Sequence, residues 1–132
     1  MQVPGAPAVV LSIIWMGMIG GIWYGPLFRS TFMRLAYGKR KPKGDQRRKY
    51  MVMTLTNILT VLLLQLVLRT LGAKTVQDGL AVAAGLGAFD ILINVGHDLF
   101  EERPLGLFLI HHSYHLAYLS TICPFLAAVR SV

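Results

Sequence analysis

Residues 50–68 read YMVMTLTNILTVLLLQLVL, nineteen positions without a charged side chain. A helix needs about twenty such residues to cross the hydrocarbon core of a bilayer. The run therefore reads as a spanning helix, and the rest of the chain is organised around it. Upstream, Met1 to Phe28 also carries no charge, which makes 8–27 a second span. It ends at Gly25-Pro26, because proline restricts the residue before it and stops the helix. The opening MQVPGAPAVV has neither the basic start and short apolar core of a cleaved signal peptide nor the arginines of a transit peptide. A retained first helix is expected.

Composition points the same way. The chain has 132 residues, enough for one small domain, with 55% hydrophobic and 14% charged residues and a mean hydropathy of +0.57. That is too little polar surface to cover a soluble domain of this size. Two further spans follow, 76–98 and 104–128, with Pro124 expected to bend the far end of the last. The third is weaker, since it carries Asp78, Asp90, Asn94, His97 and Asp98. Between the first two spans, FRSTFMRLAY (28–37) sets Phe28, Phe32 and Leu35 or Ala36 on one face, with Arg29 and Arg34 off it. This is the pattern of a short interfacial helix. The expected fold is all-α: an integral membrane four-helix bundle of one domain, spanning at about 8–27, 50–69, 76–98 and 104–128, with that interfacial helix after the first span.

The formal charge of +7 is concentrated. Nine of the thirteen basic residues are Arg29, Arg34, Lys39, Arg40, Lys41, Lys43, Arg47, Arg48 and Lys49. The positive-inside rule places this loop on the cytoplasmic, matrix or stromal side and both termini on the other. In a multi-span protein such a patch implies anionic lipid or an acidic partner subunit rather than nucleic acid. The one cysteine, Cys123, allows neither an internal disulfide nor a CxxC pair.

Small residues mark candidate packing faces. Gly17, Gly21 and Gly25 lie four apart on the first span, and Ala81, Gly85 and Ala88 make a similar stripe on the third. Such stripes let helices approach closely in lipid, and packing inside the bundle is the expected use. The polar intramembrane residues are Asp90 and Asn94 on the third span and HHSYHLAY (111–118) on the fourth. An aspartate at mid-membrane costs about 2.5–3.5 kcal/mol on insertion scales and must find a partner. The two spans are joined by a turn near Glu101, and counting equally from it sets Asp90 level with His112; a shift of one turn brings His111 or His115. The expected network is Asp90, Asn94, His111, His112, His115 and Tyr118. A metal or haem site would use the same histidines, His111 and His115 first, but no bound cofactor is the leading expectation. No nucleophile with its base, phosphate loop or nucleotide fingerprint is present, so a non-catalytic role is expected.

GGIWYGPLF (20–28) and RPLGLFLIHHSYHLAYLSTICPFLAAV (103–129) together resemble the domain of unknown function 1761 family of small four-helix membrane proteins. The WYGPLF element, Trp23 to Phe28, is the most specific part. The resemblance covers most of the chain and implies the four-span arrangement; it carries over no catalytic residue. The strongly basic first loop and the doubled His111-His112 depart from the family pattern. Three functions follow as expectations. The first is an accessory subunit packed with other subunits in a larger membrane complex, for example an energy-converting one in the mitochondrial inner membrane. The others are a small transporter or proton-conducting protein using the Asp90 and histidine stripe, and a haem- or metal-binding membrane protein.

Overall fold

The computed structural model describes residues 5–129. Residues 1–4 and 130–132, and with them the side on which each terminus lies, fall outside the description. The described chain is all-helical: α1 (Ala6–Ile22), a π-helical turn (Trp23–Leu27), α2 (Arg29–Tyr37), α3 (Gln46–Thr70), α4 (Val76–Phe100) and α5 (Leu105–Val129). Three stretches are long and apolar enough to cross a membrane: Ala6–Leu27, Gln46–Thr70 and Val76–Phe100. α5 is as long as α3 and α4, with 25 residues, yet it is not among them, because its three histidines and two tyrosines dilute its apolar character.

Local chemistry sets the helix ends. Pro26 has no N–H to continue the helical ladder. The ladder slips by one, and the Phe28 amide donates to the Trp23 carbonyl five residues back, at 3.0 Å. Gly25, at φ −98° and ψ −108°, takes up the change in direction. α3 begins a turn before the apolar run, because Asp45 caps it by accepting from the Arg47 amide at 2.9 Å. Arg47, Arg48 and Lys49 therefore lie in its first turn. Twenty-five residues make a helix about 37 Å long, longer than the hydrocarbon core. α3 ends at Thr70, and Gly72 just beyond it has a φ of +68°, which suits a residue without a Cβ. α4 opens with a capping box, in which Asp78 accepts from the Thr75 amide at 2.9 Å and Thr75 Oγ1 accepts from the Asp78 amide at 3.1 Å. Asp78 is thus explained as an end cap.

α5 is the central element. Its main partner is the antiparallel α4, and α1, α2 and α3 also pack on it. The core joins Val61, Leu64 and Leu68 of α3 to Leu119, Ile122, Cys123 and Leu126 of α5, with Ala8 and Met16 of α1 and Ala83 of α4. Cys123 is fully buried and reduced. Large apolar side chains cover the outside, among them Leu55, Leu59, Leu63, Phe89 and Leu92. That distribution suits a lipid surround.

The glycine stripes correct the expectation of internal packing. A Cβ at Gly17, Gly21, Gly25 or Gly85 would meet nothing within 4 Å. The close approaches are at other glycines. Gly79 lies directly under the Pro124 backbone and Gly87 under the Leu116 side chain, while a Cβ at Gly20 would stand 3.3 Å from the Tyr114 hydroxyl and one at Gly106 2.6 Å from the Leu35 side chain. The inner seam of α4 runs Gly79, Ala83, Gly87, Asp90, Asn94, Asp98, all buried or half-buried. Ala81, Gly85 and Ala88 are exposed, because residues two apart on a helix point about 200° apart.

Candidate functional site

The polar groups on this α4 seam meet α5 at its middle turns. His112 Nδ1 and His115 Nδ1 each lie 2.7 Å from the same carboxylate oxygen, Asp90 Oδ2. An ionised carboxylate only accepts, so both rings donate to it. Asn94 holds the other side, with its Nδ2 donating to Asp90 Oδ1 at 3.0 Å and to the Asp90 carbonyl at 2.8 Å. The Asp90 side chain is 24% exposed, His112 8% and His115 33%. The site is closed on the His112 side and open beside His115. The His112 ring packs on Phe108 with centroids 4.1 Å apart and stands at 89° to the His115 ring. Packing therefore fixes both imidazoles. His112 and His115 share one face because they are three apart on a helix.

His111 points elsewhere. Its Nδ1 lies 2.6 Å from the Tyr24 hydroxyl, and its ring contacts Phe32 of α2. Its place beside Asp90 as a candidate partner and metal ligand is therefore corrected. One residue of rotation, about 100°, turns His111 toward α1 and α2 and His112 toward α4. Tyr118 stacks edge-on with Tyr114 and His115, with centroids 5.2 and 5.7 Å apart. It joins the site by ring contact, with no hydrogen bond to Asp90 among the described residues. His97 is exposed at the end of α4.

Aromatic residues tie the first helix end to this region. The Trp23 indole donates to the Ile110 carbonyl at 3.1 Å, and the Trp15 indole donates to Thr121 Oγ1 at 3.0 Å. Tyr24 and Tyr114 rings stand 5.5 Å apart, and Tyr114 touches His115 at 5.7 Å. A continuous line of rings thus runs from the π-helical turn to the Asp90 site. Tyr24 escaped the sequence reading as a site residue, and that reading sets Tyr114 only on the polar side of the last helix. The available signal was the doubled histidine: two histidines side by side cannot both face one helix, so His111 required a polar partner on another.

The basic residues lie away from this centre. Arg29, Arg34, Lys39, Arg40, Lys41, Lys43, Arg47, Arg48 and Lys49 are all exposed. Lys49 Nζ donates to the Lys43 carbonyl at 2.6 Å, which folds the loop back on the start of α3. The acidic turn at the end of α4 pairs with its own Arg103, through Asp98 at 3.5 Å and Glu101 at 2.5 Å.

In chemical terms the site is two imidazoles and a carboxylate converging on one point, with a second-layer amide. It contains no side chain placed as a nucleophile. No curated protein and no solved structure matches the chain. A family model does match, over residues 7–127, and it is described as a protein of unknown function, DUF1761. On that match over nearly its whole length, the chain belongs to the DUF1761 family.

Proposed function

We propose that the protein is a multi-pass membrane protein whose working part is an intramembrane cation site centred on Asp90, by which a cation crosses the bilayer. One observation carries this reading: both His112 Nδ1 and His115 Nδ1 lie 2.7 Å from a single Asp90 oxygen, within a helix apolar enough to span. An ionisable residue inside a span is costly, and such residues commonly line ion pathways. Two of its three partners are histidines, side chains that themselves gain and lose a proton near neutral pH.

In this reading α5 spans as well, since it lies antiparallel along α4 and has the same length. The four spans form a bundle, and α2 rests at the interface with Arg29 and Arg34 outward. The basic 29–49 segment faces the cytoplasm or matrix, where each cation gains about 1 kcal/mol from anionic lipid. Thiol labelling of a cysteine placed at Lys43 reads that orientation, and labelling from the opposite side would reverse it.

The function is tested in sealed proteoliposomes. The wild-type protein is expected to dissipate an imposed proton or cation gradient, and Asp90→Asn to lower the flux to that of protein-free vesicles. Equal flux in wild-type and empty vesicles for protons, alkali ions and divalent ions would end the reading.

A second reading, an accessory subunit of a larger membrane complex, is favoured by the open glycine face of α1. Gly17 and Gly21 are exposed, with free space where a Cβ would stand, which suits close docking of a partner helix. A native mass well above that of the chain, with other proteins co-purifying in mild detergent, would carry it; a lone monomer would remove it.

A further inference from the structure

We infer that Asp90, His112 and His115 form a binding site for a divalent first-row transition metal ion, zinc or ferrous iron in class. The inference rests on the cation-site reading above and names the ligand. One potential ligand atom from each of the three residues lies within 4.8 Å of the others. Three protein ligands with an open position are the arrangement of exchangeable metal sites, and two histidines with one carboxylate is a set that iron and zinc accept. The same nitrogen, Nδ1, of each ring is directed at one oxygen. Asn94 occupies the other oxygen, Oδ1, so both rings converge on the oxygen left free and the three ligand atoms gather on one side of the carboxylate.

The geometry accommodates an ion with little movement. At metal–ligand distances of about 2.0–2.1 Å, tetrahedral ligands stand about 3.3 Å apart. The two nitrogen–oxygen separations of 2.7 Å need only open by that small difference, and a potential ligand nitrogen of each ring lies within 4.8 Å of the other's. A carboxylate and two neutral imidazoles carry one negative charge, which a divalent ion more than balances in a low-dielectric surround. The surroundings also resemble those of a metal site. Asn94 fixes the second carboxylate oxygen at 3.0 Å, and Phe108 and the perpendicular rings hold the imidazoles. Ligand-orienting contacts of this kind are typical of bound metals. The exposed flank at His115, 33% open, supplies an entry route and space for an exchangeable ligand.

The test uses the full chain in detergent or nanodiscs, stripped with chelator and titrated with Zn²⁺, then with Co²⁺ to read coordination from its visible absorption. One Zn²⁺ per chain is expected, with a cobalt spectrum of nitrogen and oxygen ligands. Asn94→Ala should weaken binding by about tenfold to a hundredfold, and Asp90→Asn or a paired His112→Gln and His115→Gln exchange by more. His111→Gln, outside the trio, should leave it unchanged. Each variant's helix content and monodispersity confirm folding. Folded wild-type protein that binds no Zn²⁺ or Co²⁺, or binding unchanged in Asp90→Asn, would overturn the inference. If the metal fails while Asp90→Asn still stops flux in vesicles, the cation reading stands without the metal; loss of both effects removes both.

Discussion

Gly79→Ala should destabilise the protein by about 3 kcal/mol, at the upper end of ordinary overpacking costs. A Cβ there would stand 2.6 Å from the Pro124 nitrogen and 2.7 Å from the Cys123 carbonyl oxygen. These are backbone atoms inside a helix, and Pro124 and Cys123 are buried, so neither can rotate away as a side chain would. Helices α4 and α5 would have to separate along their main interface. Two controls make the result specific. At Gly87 the obstacle is the tip of the flexible Leu116 side chain, so Gly87→Ala should cost less, about 1 kcal/mol. At Gly85 a methyl meets nothing, and alanine is the better helix former by about 1 kcal/mol. Gly85→Ala should therefore be neutral or stabilising. Reversible unfolding of the three variants in detergent gives the order, and a Gly79→Ala as stable as Gly85→Ala would show that the seam is not packed in this way.

The second large effect concerns the charge at the centre. Replacing both His112 and His115 by leucine leaves Asp90 with Asn94 alone. A buried charge stripped of its partners costs about 3–5 kcal/mol. Either single replacement should cost far less, because the other histidine still donates to the same oxygen. The two sites are therefore strongly non-additive, as expected for side chains sharing one acceptor. Adding Asp90→Leu to the double variant should restore most of the stability, since removing all partners together leaves nothing unsatisfied. That triple variant should fold and show neither flux nor metal binding, which separates the site's role in function from its role in folding. Additive single effects, or a triple variant less stable than the double, would contradict the shared-oxygen geometry.

Much of this was legible in the chain itself. The uncharged runs at 8–27 and 50–68 needed only a count of residues, because the bilayer's thickness fixes the length of a span. Counting from the turn near Glu101 aligned Asp90 with His112, because two antiparallel helices of equal rise keep register over a few turns. The last helix was harder to recognise. Its apolar identity is diluted by the side chains that give it a polar face, and length alone marks it as equal to its neighbours. The basic segment was plain in composition, and its exposure needed no tertiary partner.

What the sequence determined by itself was the helical class, the long apolar runs and the polar residues they carry, because these depend on composition and chain length; the start of α3 a turn earlier came from the Asp45 cap. Which face each helix turns inward was decided only in three dimensions. α4 has small residues on two opposite sides, Gly79-Ala83-Gly87 and Ala81-Gly85-Ala88, and periodicity treats them alike. The choice fell to the seam that accepts the Pro124 backbone and the Leu116 side chain, contacts more than twenty-five residues distant in sequence. The same rotation aims Asp90 at His112 and His115 and leaves His111 for Tyr24. Neighbouring helical positions point about 100° apart, so a twist of one position would exchange those partners, and only the fit of two whole surfaces selects between them.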